Sequence, residues 1–152
     1  MSLHLCIIMT DLELLPVRIW RDELEHEYAA LGARLERLVP CLEWPSHLPW
    51  IDAINTLKKQ CGALIMAHSC QSPEIFHGVA DVTADSLALA QAAADCDAEL
   101  IVLCGVHFMA ESAKILAPHR TVLIPDLEAG CSLTSSIGAD HVRAVRARRE
   151  TV

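Results

Sequence analysis

Aromatic residues are scarce in this chain: three tryptophans, one tyrosine and two phenylalanines among 152 residues. Any core must therefore be aliphatic, and hydrophobic residues at 53% are enough to build one. Glycine and proline are also few, six and seven, which excludes collagen-like and low-complexity architectures. Basic residues are outnumbered, twelve Lys and Arg against twenty Asp and Glu, for a net charge of −8. That balance argues against nucleic acid and anionic membrane as partners. The sequence has no run long enough to cross a bilayer. Leu3–Met9 is apolar but short, carries His4 and lacks a basic flank, so it makes a poor secretory signal. A cytoplasmic protein is expected. Paired metal motifs are missing too. The seven cysteines (6, 41, 61, 70, 96, 104, 131) form no CxxC, and no zinc-finger spacing occurs. Disulfides are disfavoured in a reducing compartment. A metal site would have to be assembled from segments distant in sequence.

What is present reads as one domain of alternating strands and helices. Residues 1–20 have no clear assignment, and Leu3–Met9 reads either as an edge strand or as a disordered terminus. From about Arg21 to Leu38, Leu24, Tyr28, Leu31, Leu35 and Leu38 recur at helical spacing, and Pro40 ends the pattern. Pro45 and Pro49 read as a stiff connector, with Trp44 and Trp50 as packing residues. A second helix is expected over about Pro49–Lys59, with Ile51, Ile54 and Leu57 inward. Ala63–Ala67 is a continuous apolar run of the kind buried on both faces of a parallel sheet. Ser72-Pro73 marks a helix start, Val79–Val82 a short strand, and Asp85 the cap of the Leu/Ala-rich helix Ser86–Ala94. Strand Glu99–Cys104, helix Met109–Leu116 and strand Thr121–Ile124 follow, then a polar loop and a last helix over about Gly138–Glu150. Its arginines, Arg143, Arg146, Arg148 and Arg149, are read as a solvated helix end. This order implies an α/β three-layer α/β/α sandwich on a short parallel sheet, joined by right-handed crossovers.

Chemistry gathers where strands end. His68 follows the first apolar run, with Gln71 and a capped helix start nearby. In an open parallel sheet such a position faces the crevice at the carboxyl ends of the strands. The plain alternative is a histidine satisfied by a backbone partner. A plain N-cap explains Asp85 in full. Ser86, with a hydroxyl and a backbone N–H at a helix N-terminus, suits a carboxylate or phosphate as well as it suits a bystander role. His107 and Glu111 are four apart and share a helix face, which more often makes a local contact than a metal site. Cys131 lies after Gly130 in a polar loop, where a thiolate can be exposed and favoured. Cys96 and Cys104, within regular elements, read as core, and Cys6, Cys41 and Cys61 as structural.

Several segments are more specific: PEI at 73–75, AD at 80–81, DSL at 85–87, CGVHFMAE at 104–111, AKIL at 113–116 and PDLEAGCSL at 125–133. Together they resemble the quinolinate synthase family over about residues 20–150, and Trp44-Pro45 with the Ala53–Lys59 segment resembles its N-terminal lead-in. The resemblance implies three similar α/β/α units, each giving one cysteine to a [4Fe–4S] cluster whose fourth iron stays open as a Lewis acid. It implies condensation of iminoaspartate with dihydroxyacetone phosphate to quinolinate, a precursor of NAD, by an enzyme of the transferase class. By motif, Cys131 of AGCSL resembles the first cluster ligand. His68 resembles the substrate-contacting histidine, and Ser86 of DSL the serine that binds a substrate carboxylate. His107 and Glu111 are read as supports. On this basis residues 21–60 are a helical lead-in and 61–152 the first unit of a quinolinate synthase-like fold.

Two departures accompany the resemblance. The family tyrosine two residues after the histidine is Cys70 here. The chain also carries only the first of the three expected units. The missing C-terminal units, or self-association through the face they would cover, are the expected protein partners. Two other readings stay open: a non-catalytic fragment or degenerate homologue without an intact cluster, and a small zinc or redox protein using Cys131, Cys70 and His68.

Overall fold

The computed structural model describes residues 22–40 and 42–149. Leu3–Met9, with its two alternative readings, and Cys6 and Cys41 lie outside the described residues. Eight helices and four strands follow in order among those described. Helices α1 (Asp22–Glu27), α2 (Ala29–Leu35) and α3 (Trp44–Cys61) precede strand β1 (Ala63–His68). Then come α4 (Pro73–Gly78), β2 (Val82–Ala84), α5 (Ser86–Asp95), β3 (Leu100–Cys104), α6 (His107–Leu116) and β4 (Thr121–Leu123). The short α7 (Ser132–Ser135) and α8 (Ala139–Arg149) close the described chain.

The four strands form one parallel sheet in the order β2-β1-β3-β4. Alternate residues of the central strands face opposite layers, as the pleat requires. Met66, Ile101 and Leu103 meet Leu89 and Ala93 of α5 and Met109, Ala110 and Ala113 of α6. Alanines on both helices let them approach closely. On the other face Ile65 packs with Ile51 of α3 and with Val79, while Val102, Cys104, Tyr28 and Trp44 border the cluster. The result is the three-layer α/β/α sandwich that the alternation of elements predicts. The path from β1 to β2 runs one way across the sheet with α4 on one face. The path reverses to β3 and β4, and α5 and α6 cover the other face. Reversal of direction with a change of face means that the crossovers share one hand.

The helical lead-in differs from its sequence pattern. The single helix expected over Arg21–Leu38 is broken at Tyr28, whose φ of −101° and ψ of 16° leave the helical region. The Tyr28 hydroxyl is held instead by Asp52 Oδ1 of α3 at 3.3 Å. Leu38 is 54% exposed, and Val39 takes the buried place. Pro45 and Pro49 lie inside α3 rather than in a connector. Pro45 is in the first turn, where an amide N–H has no helical partner, and Pro49 forfeits only the bond to the Pro45 carbonyl. Trp50 is 58% exposed and Leu57 49%, because α3 buries Leu48, Ile51 and Ala53 on a narrower stripe than expected. Ile54, also expected inward, lies partly in solvent. The expected strand Val79–Val82 begins at Val82; Val79 caps α4 and is buried. Residues 79–81 lead into that strand by side-chain bonds. Asp81 N–H donates to the Ile65 carbonyl at 2.8 Å, and Asp81 Oδ2 accepts from Ile65 N–H at 2.9 Å. Lys58 Nζ donates to Asp81 Oδ1 and to the Val79 carbonyl, each at 2.8 Å.

Candidate functional site

Sheet register sets the site. His68 pairs with Ala84, Ala67 with Cys104, and Val102 with Leu123. The residues that follow each strand therefore emerge along one edge. The chain turns opposite ways from β1 and from β3, so the switch point of this sheet lies between them, where open parallel sheets form their crevice. His68, Asp85-Ser86, Gly105 to His107 and the loop 124–131 all leave from this edge.

Glycine closes the gap between the two central strand ends. A Cβ placed on Gly105 would lie 3.0 Å from both Leu103 Cδ2 and Met109 Sδ, and 3.5 Å from His68 Cβ. A larger residue would have to shift the Leu103 and Met109 side-chain ends by a few tenths of an ångström, and its Cβ would rest in van der Waals contact with His68. The His68 ring is fixed locally: its Nδ1 accepts the Cys70 backbone N–H at 3.2 Å. The neutral ring then carries its proton on Nε2, which has no protein partner among the described residues. The His68 carbonyl accepts Gln71 N–H at 3.0 Å, which closes a tight turn. Thus His68 has the backbone partner of the plain reading and still keeps a donor for a ligand. Cys70 is exposed, and the Gln71 side-chain amide approaches its sulfur at 3.8 Å.

Asp85 caps α5 as expected, accepting Leu87 N–H at 3.0 Å and Ala88 N–H at 2.9 Å. Those two amides are consumed by the cap. The Ser86 hydroxyl makes no hydrogen bond among the described residues, is half-buried, and stands at the first position of the helix. A carboxylate arriving there would meet the hydroxyl and the positive end of the α5 dipole.

The loop after β4 is tied to the start of α6. His107 N–H donates to the Ala129 carbonyl at 2.8 Å, and Asp126 Oδ1 accepts Glu128 N–H at 2.8 Å. Helix α6 begins two residues before the expected Met109, which brings His107 into its first turn. His107 Nδ1 and Glu111 Oε1 are 3.8 Å apart on one exposed helix face, a local pair. Backbone support by His107 was not visible in the sequence, because no side-chain pattern reports a main-chain bond.

Cys131 caps the short α7 and is partly exposed. The amides of Thr134 and Leu133 are directed at its sulfur without reaching full hydrogen-bond geometry, and they lower its pKa below the ordinary thiol value. Burial drives the Cys104 thiol the other way, upward. A prediction follows for alkylation by iodoacetamide mapped by mass spectrometry across pH. Cys131 should be modified at lower pH than Cys104, since thiolate is the reacting form. Modification of Cys104 first would contradict the assignment. A soft, accessible thiolate of this kind fits one ligand position of an iron–sulfur cluster. It does not fit a whole one. Among the described residues no three His, Cys, Asp or Glu side chains group to hold a metal, so Cys131, Cys70 and His68 do not form the zinc site considered above. Among the described residues, no helix is long and apolar enough to cross a membrane.

Comparison with known proteins points the same way as the motifs. A family model described as quinolinate synthetase A protein matches residues 52–152. Quinolinate synthase 2 of Mesorhizobium japonicum is 58% identical over 120 residues, which is 79% of this chain and 37% of that protein. Quinolinate synthase of Sinorhizobium fredii is 50% identical over 125 residues, 82% of this chain and 35% of its own length. That of Xylella fastidiosa is 62% identical over 96 residues, 63% of this chain and 28% of its own. The chain thus spans a little over a third of the first two of these relatives.

Proposed function

Matched by the family model over residues 52–152, the chain belongs to the quinolinate synthase family, and on that premise we propose that it forms the first α/β/α unit of such an enzyme. The reaction is condensation of iminoaspartate with dihydroxyacetone phosphate to quinolinate, in de novo biosynthesis of NAD in the cytoplasm. Residues 61–152 form the unit and 21–60 its helical lead-in. Partners are the units that carry the other two cluster cysteines.

Each residue has a role within reach of its surroundings. His68 donates from Nε2–H to an oxygen of the substrate, its ring held by the Cys70 amide. Ser86 receives a substrate carboxylate with its unpartnered hydroxyl. Cys131 supplies one of the thiolates of a [4Fe–4S] cluster, which when bound provides a Lewis-acidic iron for the substrate. His107 holds the Cys131 loop against α6 through Ala129. Leu127, Leu133 and Ile137, each more than half exposed, flank Cys131 along the chain and offer apolar surface suited to cover by further units. The observation that carries this reading is the meeting of the β1 and β3 ends at Gly105. There the turn that holds His68 meets the segment whose His107 is bonded to the Cys131 loop.

The test is a chimera in which this chain replaces the matching segment of the Mesorhizobium relative. Quinolinate formation is expected, and His68→Ala should lower kcat/KM by about ten- to a hundredfold, the worth of one hydrogen bond to a charged group. Unchanged kinetics in His68→Ala would remove the assigned role. A second reading, a non-catalytic homologue, is favoured by the exposed Cys70 where the family has tyrosine. If the chimera is inactive and Cys70→Tyr restores turnover, that reading holds for the natural sequence.

A further inference from the structure

Helix α3 turns two polar side chains toward the sheet. Asn55 and Lys58 stand four and seven residues after the buried Ile51, so all three share one helix face. From that face both reach the link between α4 and β2. Asn55 Nδ2 donates to the Gly78 carbonyl at 2.9 Å, and Lys58 Nζ donates to the Val79 carbonyl and to Asp81 Oδ1, each at 2.8 Å. The Lys58 side chain is only 13% exposed, whereas a lysine ordinarily lies in solvent. Its neighbour Lys59 is exposed, and the Lys59 side chain has no partner among the described residues.

The link held by Lys58 is short and leads straight to the site. Asp81 is followed by the three residues of β2, by the cap Asp85 and by Ser86. Strand β2 is bonded to β1 alone, one neighbour where β1 and β3 have two. An extended chain is near its full length of about 3.3 Å per residue, so a displacement of Asp81 along the strand is carried on to Asp85 rather than taken up on the way. At the far end the Ala84 carbonyl accepts Ser69 N–H at 3.2 Å, from the turn that follows His68. Loss of the ammonium would leave Asp81 Oδ1 and the Val79 carbonyl without that donor inside the fold, and both would turn toward water.

We infer that Lys58 is a positioning residue for the candidate site: it holds Asp81, and through β2 it sets the place of the Ser86 hydroxyl relative to His68. That role rests on Ser86 as the receiver of a substrate carboxylate, and it adds a dependence on substrate. Of the two substrates only iminoaspartate carries carboxylates, so a displaced Ser86 weakens the hold on iminoaspartate and spares dihydroxyacetone phosphate. The lead-in helix α3 thereby serves substrate selection as well as packing.

Lys58→Met in the chimera with the Mesorhizobium relative tests this, since methionine keeps an aliphatic stem and removes the donors. The apparent KM for iminoaspartate should rise about three- to tenfold, no further than in Ser86→Ala, with the KM for dihydroxyacetone phosphate unchanged. Lys58→Arg, whose fork can donate to both oxygens, should keep each KM within about twofold of the parent, as should Lys59→Met. Lys58→Met added to Ser86→Ala should bring no further rise, because Lys58 acts only through that hydroxyl. Amide hydrogen exchange followed by mass spectrometry reads the same linkage without turnover: residues 82–88 should exchange faster in Lys58→Met than in Lys59→Met. A like rise in both KM values, a fall in kcat alone, or equal exchange of 82–88 in the two variants would overturn this role. So would a raised KM in Ser86→Ala beside an unchanged one in Lys58→Met. An unchanged KM in Ser86→Ala would instead remove the part given to Ser86, and the role of Lys58 with it.

Discussion

Alanine at Cys131 removes the iron–sulfur absorption of the reconstituted chimera, while alanine at Cys96 leaves it intact. On the proposed reading this is the largest effect expected from any single side chain at the site, because a cluster that took one cysteine from each unit would lose the protein ligand of one iron. The two cysteines differ in surroundings. Cys131 is partly exposed, and the Thr134 and Leu133 amides favour its thiolate. Cys96 directs its thiol to the Ala93 carbonyl at 3.5 Å at the end of α5, packed against the core of the opposite sheet end. Replacing a partly exposed Cys131 should change stability by no more than about 0.5 kcal/mol, so loss of colour cannot be ascribed to unfolding. The measurement is iron and acid-labile sulfide together with the visible spectrum after anaerobic reconstitution. Retention of the full spectrum in Cys131→Ala would sink the ligand assignment.

The second large effect is on stability. Leu103→Ala should cost about 3–4 kcal/mol, measured as a fall in the urea midpoint with little change in slope. Leu103 is fully buried in β3, the inner strand that links β1 to β4, and joins the cluster formed by α5 and α6. A loss of that size is a large part of the roughly 5–15 kcal/mol that holds a domain together. It also reaches the site, since Leu103 Cδ2 forms part of the wall against Gly105. Ile115→Ala serves as the control. Ile115 is 75% exposed, and its truncation should stay within about 0.5 kcal/mol. Equal losses in the two variants would show that burial in the α5–α6 layer does not govern stability.

Three of the four strands were legible because they are short apolar runs with abrupt polar ends, whereas the strand expected over Val79–Val82 shares only Val82 with β2. Ala63–His68 and Leu100–Cys104 match their expected ranges to within a residue. Asp85 was legible as a cap because an Asp before a Leu/Ala helix has few other uses. The lead-in was legible only in part. Its leucine spacing fits one helix, yet the bond from Tyr28 to Asp52 couples the break to a segment more than twenty residues away. No local pattern encodes that. Pro49 looked like a boundary, but its cost early in α3 is small, and Leu48 and Ile51 beside it gain burial. At the site, residue types were readable and adjacency was not. His68, Ser86 and Cys131 each stood out, whereas the strand order that brings the β1 and β3 ends together depends on pairing across the sheet.

The Asp81 contacts bear on a different problem, the choice of pairing frame for β2. That strand has three residues and only partial burial, so its hydrophobic pattern specifies little. A slip of one residue against β1 would reverse its faces and be rejected by the core. A slip of two would keep every face and pass unnoticed by the apolar residues. The paired bonds of Asp81 with Ile65, with Lys58 bound to the same carboxylate, would be lost in that alternative, together with the Ser69 N–H bond to the Ala84 carbonyl at the far end of β2. Asp81 thus acts as an index mark that tells the native frame from its even-numbered misalignments. Because Ala84 ends the same strand, the mark at one end of β2 fixes where Ser86 arrives at the other.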